Sequence, residues 1–245
     1  MKIESIATAI KKNRILNKII YFKTIDSTNK YLLENDFASG TIVAAKVQTA
    51  GRGRQGAKWV SGKGGLWFSF VVNKKIINPY MFVILSSMAL AETIAKYDLK
   101  PLIKWPNDIL VNSLKISGIL IENDFFNGRI VTGIGININN KLPQGLYLPV
   151  TSLRKQLGKI INEETFFINL IKKIDSYLFG MKKLKNQLIS KWVNKQINLN
   201  GKRVNIVINN RRIAGTINKV NKDGTISIID EQGKTLKTKN KVFFL

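Results

Sequence analysis

Apolar and polar positions alternate in several short runs of the chain, and between these runs apolar residues recur every three or four positions. A period of two is typical of a strand with one buried face, and a period near 3.6 is typical of an amphipathic helix. One helix begins beside two candidate N-caps, Asp26 and Ser27, whose side chains accept from the first free N–H groups. In the first hundred residues the pattern predicts strands over 18–25, 41–47 and 66–72, and helices over 27–35 and 79–97.

The region from 102 to 138 consists of apolar runs that are too short for helices. Asn127-Gly128, between two of these runs, is a strong hairpin signal because both residue types accept the positive φ of a tight turn. Successive strands joined in this way favour a mixed or antiparallel sheet. The predicted strands are 102–104, 109–111, 115–122 and 129–138.

The remaining pattern indicates how the chain is divided. Residues 163–179 and 182–195 each show helical periodicity and predict two amphipathic helices. Short alternating strands follow, and several short strands in such a length are typical of a small barrel. We therefore expect an α+β protein, with a main domain over 1–197 and a C-terminal β-barrel over 198–245. The turn pairs of the barrel are at 209–210, 223–224 and 232–233.

Composition excludes several kinds of chemistry. The 245 residues include no cysteine and no histidine, so disulfides, zinc–thiolate sites, cysteine nucleophiles and the commonest general base are ruled out. No apolar run approaches the roughly 18 residues that a membrane-spanning helix needs. The sequence predicts a soluble cytoplasmic protein with no membrane association.

The net charge of +25 comes from 40 basic and 15 acidic side chains. A balance this basic is typical of nucleic-acid-binding proteins. The excess is spread along the chain rather than gathered in a tail, and Lys, Asn and Ile are all abundant, as an A/T-rich gene would make them. Composition bias is the favoured cause, with acidic partners, phosphorylated ligands or nucleic acid as the alternatives.

Residues 48–65 form a long stretch without periodicity that is rich in glycine and in basic residues. Its centre, Gly51-Arg52-Gly53-Arg54-Gln55-Gly56, satisfies the G-x-G-x-x-G pattern of dinucleotide-binding folds. The next residues cannot open a helix, and no acidic residue lies about 20 positions further on, so we reject that assignment. What remains is a backbone that can approach an anion closely and two guanidinium groups suited to phosphate or carboxylate. A flexible surface loop is the alternative.

Three further motifs carry polar groups between or within apolar strands. Lys104-Trp105-Pro106-Asn107-Asp108 lies between strands and by itself predicts no more than a turn. Lys115 begins an otherwise apolar strand, where its ammonium loses solvation unless it has an anionic partner or the strand mouth is open to water. The run 133–139, GIGININ, adds two glycines that allow close packing on the sheet, and an Asn able to bond a ligand.

Together these motifs resemble those of biotin protein ligases, in the family's order and spacing, over about residues 19–245. The resemblance implies the class II synthetase-like biotin/lipoate ligase fold with an SH3-like C-terminal barrel. Because only about 20 residues precede it, the winged helix-turn-helix of some family members is not expected. The segments that carry the resemblance are Asp26-Ser27-Thr28-Asn29, Gln48 to Gly56, Lys104 to Asp108, Lys115-Ile116-Ser117-Gly118 and the run ending at Asn139.

The resemblance implies a ligase, acting in two steps, and assigns residues to them. Biotin and ATP form biotinyl-5′-adenylate and pyrophosphate, and biotin then passes to one lysine of a carrier protein. The implied biotin-binding residues are Ser27, Thr28, Asn29, Gln48, Gly51, Arg52, Gly53, Arg54, Lys115 and Gly118. The implied ATP- and adenylate-binding residues are Arg52, Arg54, Trp59, Asn107, Lys115 and Asn137. The implied catalytic residues are Lys115 and Arg52, which neutralise charge, and Asp108, which orients the acceptor amine or receives its proton.

The resemblance also implies cofactors and partners. ATP should come with Mg²⁺ held mainly by the phosphates, so no protein ligand to a metal is assigned. The expected partner is a biotin carboxyl carrier domain, typically acidic and therefore steered by the positive charge. A homodimer is a weaker implication, and sequence-specific DNA binding is not expected.

Two other functions stay open at this point. A lipoate or octanoate ligase shares the fold, although the three motifs together are not expected in one. A basic nucleic-acid-binding module is favoured only by the charge and the barrel, and the sequence offers it no recognition helix.

Overall fold

A computed structural model of the chain describes residues 1–73, 79–124, 127–142, 149–208, 211–221, 223–238 and 242–244. It divides the chain into two compact units, Met1–Lys185 and Asn186–Leu245. The assignment of a catalytic domain to 1–197 and a barrel domain to 198–245 stays a prediction. No helix among the described residues is both long and apolar enough to cross a bilayer.

The first unit is built from a sheet and helices. Its strands are β1 (Lys18–Phe22), β2 (Thr41–Ala45), β3 (Leu66–Asn73), β4 (Leu102–Lys104), β5 (Asp108–Val111), β6 (Leu114–Asp124) and β7 (Arg129–Ile136). Its helices are α1 (Ile3–Ile10), α2 (Thr28–Glu34), α3 (Pro79–Ala95), α4 (Leu153–Leu157) and α5 (Glu163–Asn194), the last of which continues into the second unit.

The sheet has the strand order β1-β2-β3-β7-β6-β5-β4. Strands β1 and β2 are parallel, and the other described pairs are antiparallel. The mixed sheet predicted from the sequence is therefore confirmed. In the register of β6 and β7, Gly118 lies opposite Gly135, and the turn between these strands has Gly128 at a φ of 60°.

Helix α2 begins where the predicted caps lie. Ser27 is the N-cap and its hydroxyl accepts from the backbone N–H of Lys30 at 3.4 Å. Asp26 instead pairs with the Lys30 ammonium at 2.8 Å. Leu32 packs in a fully buried cluster with residues of β2, β3 and β7, so the helix is held by its apolar side as well as its cap. This arrangement sets the first turn of α2 over the middle of the sheet.

Helix α5 is continuous where the sequence predicted two helices with a break near residue 180, so that prediction is wrong. Glycine costs about 1 kcal/mol in a helix interior, but the helix passes through Gly180 without a break. A Cβ on Gly180 would lie 2.8 Å from the side chain of Leu184, so the absence of a side chain gives Leu184 room. Helices α1 and α4 were not predicted.

A buried carboxylate connects α5 to the N-terminal segment. Asp175 accepts backbone N–H groups of Arg14, Ile15 and Leu16 at distances of 2.7–3.0 Å. Two apolar residues of α1, Ile6 and Ile10, are fully buried. The N-terminal segment therefore packs on the first unit and contributes Ile6, Ile10 and Leu16 to its core.

The second unit contains one antiparallel sheet in the order β11-β10-β9-β8-β12. Its strands are β8 (Arg203–Ile208), β9 (Arg211–Val220), β10 (Ile226–Asp230), β11 (Thr235–Thr238) and β12 (Val242–Phe244). The predicted turns at 223–224 and 232–233 are present, with Gly224 and Gly233 both at φ 81°, and the predicted turn at 209–210 lies outside the described residues. Among the described residues no pairing joins β11 to β12, so a closed barrel stays a prediction.

Candidate active site

Three glycines of β6 and β7 form a flat floor on one face of the sheet. Gly133 and Gly135 are two positions apart and so face the same side, and Gly118 lies opposite Gly135. A Cβ on Gly133 would collide with Asn29, and one on Gly135 would collide with the indole of Trp59. The close approach predicted for GIGININ is confirmed. Helix α2 and the glycine-rich loop, residues 48–65, both contact the sheet at positions where glycine has no side chain.

The glycine-rich loop is folded as an irregular hairpin. Gln48 bridges to Ser61, and Arg52 bridges to Lys58. At its tip, Arg54–Gly56 form a tight turn with Gln55 in the left-handed region at a φ of 61°, and extended backbone follows. The loop therefore opens no helix, which agrees with the rejection of a dinucleotide-binding motif. Residues 47–62 and 120–122 line a cavity of about 950 Å³.

A network of buried polar groups lies where α2 meets this loop. The N–H and hydroxyl of Thr28 contact Oε1 of Gln48 at 2.9 and 3.0 Å, and Nε2 of Gln48 donates to the Ser61 hydroxyl at 2.7 Å. The hydroxyls of Thr28 and Ser69 lie 2.7 Å apart, and that of Ser69 donates to Asn29. Hydroxyl and amide groups of this kind can exchange partners for the donors and acceptors of a ligand.

The two arginines of the loop lie in different surroundings. Nη2 of Arg52 is 2.7 Å from the carboxylate of Glu122, and 44% of the Arg52 side chain is exposed. Nη1 of Arg54 donates to Asn107 at 3.0 Å, and Asn107 in turn donates to the carbonyl of Ile119 at 2.7 Å. Burial lowers the pKa of Arg54, and the nearby Asp108 carboxylate partly opposes that effect.

Lys115 has the anionic partner that its apolar strand requires. Its ammonium lies 2.8 Å from Oδ1 of Asp108, and the two side chains are only 20% and 15% exposed. The ammonium also lies 5.2 Å from the ring centroid of Trp59. Among the described residues the Nε1 atom of Trp59 is buried with no hydrogen-bond partner, so the indole has a free donor in the site.

Asn137 lies just beyond the end of β7 and contacts other segments. Its N–H donates to the carbonyl of Ile116 at 2.9 Å, and its side-chain oxygen accepts from Asn140 at 3.0 Å. Its own carbonyl accepts from Leu153 at the start of α4. A nucleotide-binding role for Asn137 stays a prediction.

Three residues of this site were not predicted: Ser61, Ser69 and Glu122. Ser69 is a single polar residue within the apolar run of β3 and is fully buried, which is a usable signal because buried hydroxyls need partners. Glu122 is an acidic residue after Ile-Leu-Ile, a pattern that half-exposed strands often show. No group of three acidic, histidine or cysteine side chains in the described parts of the chain is placed to hold a metal.

Comparison with known proteins agrees with this geometry. Residues 21–139, just under half of the chain, match the model of the biotin/lipoate A/B protein ligase family. The matched part runs from within β1 to just beyond the end of β7 and includes every motif described above.

Two curated relatives and one solved structure are similar to this chain. The bifunctional ligase/repressor BirA of Bacillus subtilis is 36% identical over 157 residues, which are 59% of this chain and 48% of that protein. The biotin–[acetyl-CoA-carboxylase] ligase of Paracoccus denitrificans is 28% identical over 58% of this chain and 65% of its own length. The biotin protein ligase of Aquifex aeolicus, solved with biotin and ATP, superposes with a TM-score of 0.81 at 28% identity, covering 93% of this chain and 99% of that one. The chain thus matches about half the length of the first of these relatives.

Proposed function

We propose that this chain is a biotin protein ligase, which joins biotin to ATP as biotinyl-5′-adenylate and transfers the biotin to a lysine of a carrier domain. The observation that carries the proposal is the placement of two cations beside one glycine-floored site. Lys115 lies at the Trp59 ring. Arg52 lies in the glycine-rich loop and pairs with Glu122, which is on the same strand as Lys115, β6. The names of the similar proteins support the same activity.

The first step brings a carboxylate to the α-phosphate of ATP. A bond forms between a carboxylate oxygen and phosphorus, the bond from phosphorus to the bridging oxygen breaks, and pyrophosphate leaves. Both reactants are anions, so catalysis rests on positioning and on neutralising charge in the transition state. We assign the neutralisation to Lys115 and Arg52, while Arg54 anchors the loop tip through Asn107.

Thr28, Asn29 and Gln48 are proposed to hold the biotin head group. A ureido group has two N–H donors and one carbonyl acceptor, and the network of amides and hydroxyls at this end of the site offers both kinds of partner. A lipoyl dithiolane has neither N–H donors nor a carbonyl, so it would gain no hydrogen bond from these groups. The network therefore favours biotin over lipoate or octanoate.

The second step needs a neutral amine at the adenylate. The acceptor nitrogen attacks the biotinyl carbonyl carbon, the bond to the phosphate oxygen breaks, and AMP leaves while the proton of the amine passes to the Asp108 carboxylate. Asp108 directs Oδ1 to Lys115, so its other oxygen can accept from the incoming amine. We assign the orientation of the acceptor lysine to this carboxylate.

Mg²⁺ fits this proposal as an ion that is bound by the phosphates of ATP rather than by a set of protein ligands. No acidic cluster among the described residues would form a protein cage, and Mg²⁺ in such sites is commonly bound through the substrate's phosphates. When bound, the ion would neutralise phosphate charge.

The positive charge is proposed to steer an acidic carrier domain to the site. The homodimer, the SH3-like form of the second unit and the cytoplasmic location stay predictions from the sequence. So does the absence of sequence-specific DNA binding.

Biotin-dependent exchange of pyrophosphate into ATP tests the first step, and labelling of a biotin carboxyl carrier domain tests the second. We expect both with purified protein, ATP and Mg²⁺. A parallel thermal-shift assay compares biotin plus ATP with lipoate plus ATP and with duplex DNA, because a ligand that binds only the folded form raises the melting temperature. The proposal would be contradicted if the melting temperature rose with lipoate plus ATP or with DNA but not with biotin plus ATP. It would also be contradicted if biotin supported no pyrophosphate exchange.

A further inference from the structure

Glu122 lies on β6 on the same face as Gly118, since the two are four positions apart in a regularly paired part of the strand. One carboxylate oxygen is 2.7 Å from Nη2 of Arg52 in the glycine-rich loop. The other accepts from Nδ2 of Asn29, in the first turn of α2, at 2.8 Å. This carboxylate is only 20% exposed, so a fixed anion joins the loop to the helix across the site.

The contact with Asn29 determines how that amide is oriented. A carboxylate only accepts hydrogen bonds, so Asn29 must present its NH₂ group to Glu122 and its oxygen to the opposite side. That oxygen accepts from the Ser69 hydroxyl. Ser69 has used its single proton, and therefore Thr28 is the donor where the two hydroxyls meet at 2.7 Å.

The orientation ends at the Thr28 hydroxyl. Because that hydroxyl gives its one proton to Ser69, Oε1 of Gln48 is oriented by the backbone N–H of Thr28 at 2.9 Å. Direction therefore passes from Glu122 through Asn29 and Ser69 to Thr28, which are groups at the proposed head-group pocket. A neutral side chain at 122 would release this constraint, because an amide there can donate to Asn29 as well as accept.

The contact with Arg52 leaves that residue able to bind an anion. A guanidinium has five N–H donors, and Glu122 engages Nη2. The other donors stay available to a carboxylate or phosphate. Without the carboxylate, a side chain that is 44% exposed would be free to adopt many rotamers, and fixing it would cost entropy at the moment of reaction.

We propose that Glu122 is a positioning residue for adenylate formation, which aims Arg52 at the reacting anions and, through Asn29, sets the direction of the hydrogen bonds in the head-group pocket. This inference rests on the proposed biotin ligase function.

The kinetic test compares Glu122→Gln with Glu92→Gln. Glu92 is a matched control because it also forms a partly buried ion pair, 2.6 Å from Lys173 with 26% of its side chain exposed, on helix α3. We expect Glu122→Gln to lower kcat for pyrophosphate exchange by about 10- to 100-fold, as misplacement of a reacting group does, with a melting temperature close to that of Glu92→Gln. Exchange by Glu122→Gln within a factor of about two of the wild type would overturn the proposal.

A double-mutant cycle with Arg52→Ala shows whether Glu122 acts through Arg52. With enzyme in excess over biotin, Glu122→Gln should cost much less in the Arg52→Ala background than in the wild type. Equal losses in the two backgrounds would show that Glu122 does not act through Arg52, which contradicts the proposal. If the wild-type protein itself shows no biotin-dependent exchange, it is the proposed function that fails.

A second measurement does not depend on activity. If Glu122 holds the loop through Arg52, trypsin should cut after Arg52 several-fold faster in ligand-free Glu122→Gln than in ligand-free Glu92→Gln. Equal cleavage in the two variants would show that the ion pair does not fix the loop, and would contradict the proposal even if kcat fell.

Discussion

The indole of Trp59 lies directly on the backbone of Gly135, where any side chain would collide with its Nε1 atom. On the neighbouring strand a Cβ at Gly118 would lie 3.1 Å from Cζ3 of the same ring. The two glycines face each other in the register of β6 and β7. The Trp59 ring therefore packs on two glycines, beside the ammonium of Lys115.

This contact predicts the effect of adding a methyl group. Gly135→Ala should force Trp59 away from the sheet and lower pyrophosphate exchange by about 10²-fold, the loss expected when a group that orders the site shifts by about 1 Å. Gly118→Ala should cost less, because its closest contact is longer. Pyrophosphate exchange measures the loss of activity, and tryptophan emission reports the movement of Trp59. An equal or larger loss of exchange in Gly118→Ala would contradict the proposed packing of Trp59 on Gly135.

Lys115→Ala should lower pyrophosphate exchange by about 10²- to 10³-fold, the usual cost of removing one group that stabilises charge in a transition state. The residue pairs with Asp108 and is 20% exposed, so the variant should still fold. Circular dichroism verifies the fold and exchange measures the loss. A rate within about twofold of the wild type would mean that the ammonium has no part in the reaction.

Asp108→Asn should separate the two half-reactions. Transfer of biotin from preformed adenylate to a carrier domain should fall more than adenylate formation does, because the carboxylate is assigned to the incoming amine. Single-turnover transfer and pyrophosphate exchange measure the two rates. A larger loss in exchange would assign Asp108 only to holding Lys115, to which it lies 2.8 Å away.

The glycine-rich loop should become resistant to protease when ligand binds. Glu122 pairs with Arg52 in the free protein, but Arg54 and Lys58 add further positive charge to the same loop, and ordering its glycines costs entropy. Trypsin should therefore cut after these residues in the free protein and be slowed markedly by biotin with ATP. Equal resistance with and without ligand would indicate a preformed loop, and another segment would then have to protect the adenylate from water.

The ion pair of Asp124 with Arg129 should make stability depend on pH. Nη2 and Oδ2 are 2.6 Å apart and both side chains are nearly fully buried. Burial raises the pKa of Asp124, but hydrogen bonds from Asn127 and Arg129 outweigh it, and the pKa is lowered. The ionised form therefore stabilises the fold above the ordinary carboxyl range, and this stability is lost as the pH falls through the lowered pKa.

Asp124→Asn should reduce the free energy of unfolding by up to about 3 kcal/mol at pH 7, because it removes the buried carboxylate beside Arg129 and leaves only the exposed carboxylate of Asp36 as its ionic partner. The difference from the wild type should narrow below about pH 4. Urea denaturation at several pH values measures it. Asp26→Asn is the control: its pKa is also lowered, chiefly by a hydrogen bond from Lys30, but the pair is exposed, so a much smaller difference is expected.

Residues in short motifs between apolar strands were predictable from the sequence. Lys115 is an example, because an ammonium at the start of an apolar strand needs an anion, and Asp108 is that anion. Ser27 was predictable as a cap for a similar local reason. In both cases the signal lies within a few residues of the group that carries it.

Tertiary contacts were not predictable in this way. Glu122 contacts Arg52 and Asn29, which are 70 and 93 positions away in the sequence. No neighbouring motif indicates that this glutamate belongs to the site. Two helices were predicted over 163–179 and 182–195, but α5 runs through Gly180 without a break, so the local pattern did not fix the helix boundary.

The contact of Asp175 with the N-terminal segment determines where the chain can be shortened for expression. Shortening the chain to begin at the first strand, Lys18, would remove all three N–H donors of Asp175 and the buried side chains of Ile6 and Ile10. Lost hydrogen bonds to a carboxylate and lost apolar contacts both lower stability, together by several kcal/mol in typical proteins. A version trimmed to the family-matched region would therefore be expected to aggregate on expression, and tags are better placed at Met1 than after a deletion.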